Sequence, residues 1–232
     1  MDFVWEGILT AVRLILQGDP DVLSTAATSL YVAAWSTLIA SVVGLPTGYL
    51  LAVQEFRGRE TAVTAVNALL GLPTVVVGLV AYGFFSRRGL LGGLGLLFTP
   101  TGVIIGLAVL ATPIVAAFVL AALKEMDPRV RQTAQTLGAG RVRTAWTLMG
   151  EARYGVLAAI VAAFGRVVAE VGVAMMLGGN IRGYTRTLTT AIALETARGE
   201  FGFGIALGII LMILVTTLNA LLRILQMKVA RG

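Results

Sequence analysis

The 232-residue sequence contains no cysteine and no histidine. Disulfides, thiolate nucleophiles and imidazole-ligated metals are therefore excluded, and cysteine usage says nothing about redox compartment. Charge is scarce as well: Asp, Glu, Lys and Arg make up 13% of the residues, where a soluble domain carries about 25%. Proline occurs only six times. What fills the chain is apolar, at 57%, and it comes in runs of about 20 residues, the length a helix needs to cross the hydrocarbon of a bilayer. Such a chain is an all-α, polytopic helical membrane protein, since hydrocarbon leaves backbone groups no partner but one another. Its length suits a single domain over 1–232. The 28 glycines fit membrane helices, which tolerate them. The net charge of +6 points to basic loops at one membrane face rather than to nucleic acid.

Five apolar segments predict about five transmembrane helices, near 23–53, 62–85, 101–122, 154–177 and 203–226. Pro46, Pro73 and Pro113 fall inside spans and predict kinks. The triplet Gly-Leu-Pro occurs at 44–46 and again at 71–73, as hinge or as kinked packing. The first 18 residues are too short to span. They begin with an acid and show no small-residue cleavage site, so they do not read as a signal peptide. Val4, Ile8, Ala11 and Ile15 share one helical face, with Glu6, Arg13 and Gln17 opposite, which predicts an amphipathic interfacial helix over 1–18. Asp19-Pro20 then caps and starts the next helix. Segment 180–202 is too polar to span. Leu188, Ile192 and Thr196 place a short surface or partly re-entrant helix there.

Eleven of the eighteen basic residues lie in three segments on one side: after span one (Arg57, Arg59), after span three (Lys124, Arg129, Arg131, Arg141, Arg143, Arg153) and in the tail (Arg223, Lys228, Arg231). Six lie on the other side and Arg166 inside span four. The positive-inside rule then places the C-terminus in the cytoplasm and the N-terminus outside. The cytoplasmic loop 128–151 is polar and basic between two long apolar runs. Asp127-Pro128 starts a short helix, Gly138 and Gly140 end it, and a second begins at Arg141. A helical hairpin of this kind buries little of itself and is steadier against another protein.

Two charges, Arg166 and Glu170, interrupt span four at i and i+4. Each costs roughly 2.5–3.5 kcal/mol at a helix centre, so the pair should face protein. Ala162, Gly165, Ala169 and Gly172 form a small-residue stripe alongside. The pair reads either as a pathway or gate element or as a buried ion pair that fixes the helix. Arg182 and Arg186 on the outer side either draw anions to a mouth or are ordinary interfacial arginines.

The stretch QTAQTLGAGRVRTAWTLMGEARYG, residues 132–155, resembles the EAA loop of permease subunits of ATP-binding-cassette importers. Gln132 stands at the Glu of that pattern, Thr133 and Ala134 at its two alanines, Gly138 matches its Gly, and Gly150-Glu151 stands where Leu-Pro is usual. Further on, AAFGRVVAEVGVAMMLGGNI (162–181) and TRTLTTAIALET (185–196) resemble the oxyanion importer permeases, most closely the tungstate type, with molybdate and sulfate permeases as relatives. The resemblance implies a homodimeric pathway in the cell (inner) membrane and two cytoplasmic ATPase subunits that bind ATP and Mg. It also implies an extracytoplasmic solute-binding protein that delivers substrate, and surrounding membrane lipid. It implies coupling to the ATPase through Ala134, Thr136, Leu137, Gly138, Ala139, Gly140, Arg141 and Arg143. No G-x-x-x-x-G-K-[ST] loop is present, so the chain is expected to be no enzyme and to hold no cofactor of its own. A membrane enzyme lacks its catalytic groups here. A stand-alone anion carrier would have no use for the basic helix–Gly–helix loop.

Overall fold

A computed structural model describes the backbone of residues 2–231 and the side chains of residues 4–220. Among the described residues there is no strand. The helices are α1 (Asp2–Gln17), α2 (Pro20–Val53), α3 (Arg59–Leu70), α4 (Thr74–Phe85), α5 (Pro100–Lys124), α6 (Pro128–Thr136), α7 (Arg141–Glu151), α8 (Arg153–Val168), α9 (Gly172–Gly178), α10 (Leu188–Ala197) and α11 (Phe201–Arg231). The side chains of Arg223, Lys228 and Arg231, on which part of the charge count rests, lie outside the described residues.

Local chemistry starts the long helices. The Asp19 carboxylate accepts the N–H groups of Asp21 and Val22, each at 3.0 Å, and Pro20 opens α2. Thr99 does the same for α5, accepting Gly102 N–H at 3.1 Å before Pro100. These helices run parallel. Residues near Ser36 meet those near Ile104, and Gly48 meets Val119. A Cβ added at Gly44 would lie 2.7 Å from Val115 Cβ, and one at Gly48 would lie 2.6 Å from the Ala116 carbonyl oxygen. In hydrocarbon, helices associate through such close van der Waals packing rather than by expelling water. Around this contact Val32, Val103, Leu107, Val115 and Val119 form the core with Ala159 and Ala163 of α8 and Val173 and Leu177 of α9.

Among the described residues α2, α5 and α11 are long and apolar enough to cross a membrane alone, and the number rises to five if each bent pair counts as one span. Two expected spans differ in form from the simple reading. The segment near 62–85 is not one kinked helix: α3 and α4 meet at 103° across Gly71–Pro73. The segment near 154–177 is α8 and α9, interrupted at 169–171, and α7 joins α8 at a 75° bend. Pro46 and Pro113, by contrast, lie inside continuous helices.

Tertiary packing selects the buried faces of α1 and α10. On α1 the packed side is Gly7, Ala11 and Leu14 against α11, while Val4, Ile8 and Ile15 stay exposed. A Cβ at Gly7 would meet Ile205 at 2.6 Å, so closeness of backbones, not side-chain hydropathy, selected that face. On α10 the buried residues are Leu188, Thr189, Thr190, Ala191 and Glu195, and Thr196 is exposed. The helix is tucked into the protein, which sets aside the surface alternative of the two expected for it.

Candidate functional site

The polar loop is built as its residues suggest. Asp127 caps α6 by accepting Arg129 N–H at 2.9 Å. The helix closes where Gly138 N–H reaches the Gln135 carbonyl and Ala139 N–H reaches the Ala134 carbonyl, both at 3.0 Å. Gly138 has φ +80°, a region in which a side chain is strained. Thr144 then donates its backbone N–H to the Gly140 carbonyl and its hydroxyl to the Ala139 carbonyl, which fixes the start of α7. The hairpin is anchored on its inner side by buried Ala134, Thr144 and Leu148. Arg131 anchors its flank, donating to the Val53 carbonyl at the end of α2 (2.9 Å).

Of the residues singled out from sequence, Ala134 is therefore part of the anchor and Ala139 is half-buried. Thr136, Leu137, Gly138, Gly140, Arg141 and Arg143 lie together on the exposed surface. Beside Leu137, which the sequence reading named, the loop has two apolar projections that reading did not single out, Val142 and Trp146. Leu137 is 82% exposed, Trp146 76% and Val142 72%. Val142 and Trp146 are one helical turn apart on α7, an i,i+4 signal that was available between the glycines and the next apolar run.

The second group lies at the break between α8 and α9. Glu170 Oε2 accepts Arg166 Nη1 at 2.6 Å, and Oε1 accepts the N–H of Val173 at 3.2 Å. The carboxylate thus sits at the N-terminus of α9, where it is electrostatically favoured. Its own carbonyl accepts the Thr189 hydroxyl at 2.9 Å. Glu170 is 3% exposed and Arg166 39%, so only the acid is fully enclosed. The expected small-residue stripe is divided: a Cβ at Gly172 would meet Thr74 Oγ1 at 3.0 Å, whereas one at Gly165 meets nothing within 4 Å. Start of α4 and start of α9 therefore meet, and the two interrupted spans share one place.

Sequence reading also missed the hydroxyl network behind Glu170. Thr190 donates to Asn180 Oδ1 at 2.9 Å, Thr185 donates to the Gly178 carbonyl at 2.6 Å, and Ser29 on α2 accepts Leu188 N–H at 2.8 Å. Its signal is the run Thr185, Thr187, Thr189, Thr190, which an exposed helix has no need of. On the same side Arg182 pairs with Asp21, while Arg186 and Arg198 approach Glu195 at 3.8 and 3.4 Å. Arg182 and Arg186 are thus each matched to an acid within the protein. Among the described residues no cluster of three or more acidic, histidine or cysteine side chains could hold a metal ion.

Residues 44–231 match the family described as binding-protein-dependent transport system inner membrane component. The chain is 34% identical over 226 residues to a tungstate uptake system permease protein, TupB, of Peptoclostridium acidaminophilum, covering 97% of this chain and 99% of that protein. It is 37% identical to the TupB of Campylobacter jejuni, covering 94% and 92%. Among solved structures, an inward-facing methionine ABC transporter, MetNI, superposes with a TM-score of 0.72 at 22% identity, over 91% of this chain and 95% of that one. That likeness supports the shared fold.

Proposed function

Because this chain belongs to the family of binding-protein-dependent transport system inner membrane components, we propose that it is the membrane-spanning subunit of an ATP-driven oxyanion importer, with tungstate as the substrate. The observation that carries this reading is near-full-length likeness to two tungstate uptake permeases, joined to a loop that presents apolar and basic side chains from a helix–glycine–helix frame. Two copies enclose the pathway, and a binding protein supplies the anion from outside. The N-terminus lies outside, the α6–α7 loop and the C-terminus lie in the cytoplasm, and α1 rests in the interface with Trp5, Leu9 and Leu16 toward lipid. ATP and Mg are held by two ATPase subunits.

The exposed residues Thr136, Leu137, Gly138, Gly140, Arg141 and Arg143 form the contact with the ATPase. Ala134 and Ala139 hold the turn that presents them. Because α7 continues through one 75° bend into α8, a displacement of the loop acts as a lever on the span that carries Arg166 and Glu170. The pair is nearly neutral overall, so it presents little net field to a dianion. Its geometry suits a fixed hinge between α8 and α9 better than a binding site.

Uptake of labelled tungstate by cells expressing the complete transporter tests the substrate, with molybdate and sulfate as competitors. Tungstate uptake that a large excess of sulfate leaves intact supports the reading. Uptake of sulfate or molybdate with none of tungstate overturns it. Coupling is tested by recovering the ATPase on tagged protein. Alanine at Leu137, Gly138 and Arg141 together should abolish recovery, and normal recovery would remove the loop from the contact. Cysteines replacing Gly58 and Val142 should react only from the cytoplasm. Labelling from outside would reverse the topology.

A further inference from the structure

A groove of about 1210 Å³ runs between the second half of α2 and the outer face of α7. Of the coupling residues only Gly140 and Arg141, with Ala139 of the turn, border it. One wall is Val42, Leu45, Pro46 and Val53 of α2, and the other is Val142, Trp146 and Met149. Its far end is polar, with Gln54, Arg131 and Arg141, and Glu55 also reaches it. From Val42 to Gln54 is twelve residues, or about 18 Å of helix at 1.5 Å per residue. That matches the hydrocarbon depth of one leaflet, about 15 Å, plus the start of its headgroup layer.

The gradient of chemistry follows the same axis. The apolar end opens beside Leu38, Ile39 and Val43, which are exposed on α2 and belong to a segment that crosses hydrocarbon. Val42 itself is 66% exposed. At the polar end Arg131 spends one N–H on the Val53 carbonyl. Among the described residues no carboxylate lies within ion-pair distance of Arg131 or Arg141. Two guanidiniums against Glu55 leave the wall with a net positive charge. Tyr49 and Trp146 also line the groove, and aromatic side chains with one polar edge are favoured at membrane interfaces. The complement of an apolar slot one leaflet deep that ends in two unpaired guanidiniums is an acyl chain attached to a phosphate.

We propose that this groove is a binding site for an anionic phospholipid of the leaflet next to the α6–α7 loop. An acyl chain lies between α2 and α7, and the phosphate lies on Arg131 and Arg141. The lipid fills the space under α7 and makes the seat of the loop sensitive to the charge of the surrounding membrane. Arg141 borders both this site and the proposed ATPase contact, so the test uses other residues.

The full chain is reconstituted in vesicles of equal parts phosphatidylcholine and phosphatidylglycerol and re-extracted in mild detergent. Lipid retained per chain is then counted by native mass spectrometry. Phosphatidylglycerol should be retained about fivefold over phosphatidylcholine, the preference expected from basic residues near an anionic surface. Val42→Trp, which fills the slot from an exposed position, should remove the bound lipid from a protein that still elutes as a single species. Arg131→Glu should abolish the preference for phosphatidylglycerol. Added inorganic phosphate should leave the lipid count unchanged. Equal retention of the two lipids, or undiminished retention in Val42→Trp, overturns the proposal. So does displacement by inorganic phosphate, which would make it a free-anion site. Efficient disulfide formation between two copies of a Val42→Cys variant also overturns it, since the groove would then face the second copy.

Discussion

Gly44-Leu45-Pro46 lies inside a helix that runs unbroken from Pro20 to Val53, whereas Gly71-Leu72-Pro73 separates two helices that meet at 103°. The triplets are identical, and proline removes one helical hydrogen bond in each. What differs is the partner on either side. Before and after Pro46 the helix packs on the same neighbour: Gly44 approaches Val115 and Gly48 approaches Ala116 and Val119, all on α5. A break there would separate a contact that extends for several turns. Around Pro73 the flanks have different partners. Val63 of α3 packs with Leu51 and Leu120, while Gly78 of α4 lies against Val173 and Met176 of α9. Gly71 and Leu72, both exposed, keep only backbone bonds to Ala68 and Leu69 at the end of α3. Proline permits a bend, and packing decides whether it is taken.

This comparison can be broken most forcefully at the glycines. Gly48→Leu forces its side chain onto the Ala116 carbonyl and should destabilise the protein by about 3 kcal/mol, the upper part of the usual range for overpacking. Gly71→Ala meets only the Ala68 carbonyl, at 3.7 Å, and should change stability by less than about 1 kcal/mol, as most substitutions away from such contacts do. Thermal melts of both variants in one detergent check this, and equal losses would show that the α2–α5 contact is not what keeps α2 whole.

The break at 169–171 extends the comparison, because there an acid rather than a proline stands in the gap. Glu170→Ala leaves Arg166 without its partner and the Val173 N–H uncapped. Losing one member of a buried pair costs roughly 3–5 kcal/mol, and with Arg166 39% exposed solvent reduces this to about 2 kcal/mol. Uptake should fall with it. Thr189→Val removes the hydroxyl that bonds the Glu170 carbonyl and Thr187 Oγ1 and should cost about 1 kcal/mol, with Thr189→Ser restoring the wild-type melt. If Val and Ser variants melt alike, the hydroxyl does not support the break.

A comparable stability effect, with a larger functional one, is expected in the loop. Gly138→Ala strains a residue at φ +80° by about 1–2 kcal/mol, confined to the turn. The melt should move by a few degrees at most while uptake drops severely, which measuring both on one preparation would establish. Pro73→Ala carries the smallest expectation. Because opposed packing makes the bend, spin labels on α3 and α4 should keep their wild-type separation by pulsed electron resonance, and a shift toward a straight helix would return the cause to proline.

Much of this architecture was legible in residues 1–232, and the omissions share a cause. The caps at Asp19 and Asp127 and the turn at Gly138 depend on neighbours within four residues, so they could be read directly. The hydroxyl network of residues 180–190 could not. Its acceptors are Glu170 and Gly178 on another segment, and a run of threonines looks equally suited to solvent. Likewise the face of α1 that packs was hidden because Gly7, with no side chain, has no hydropathy to declare.

By itself the sequence determined the membrane class, the number of apolar segments and the helix–glycine–helix form of the loop. Each follows from forces acting within a segment: backbone hydrogen bonds that hydrocarbon will not supply, and caps and turns that close locally. Only the tertiary structure decided which spans break, which face of α1 and α10 is buried, and that α2 and α7 leave a groove between them. Those outcomes depend on the shape and charge of partners tens of residues away, which no local pattern encodes.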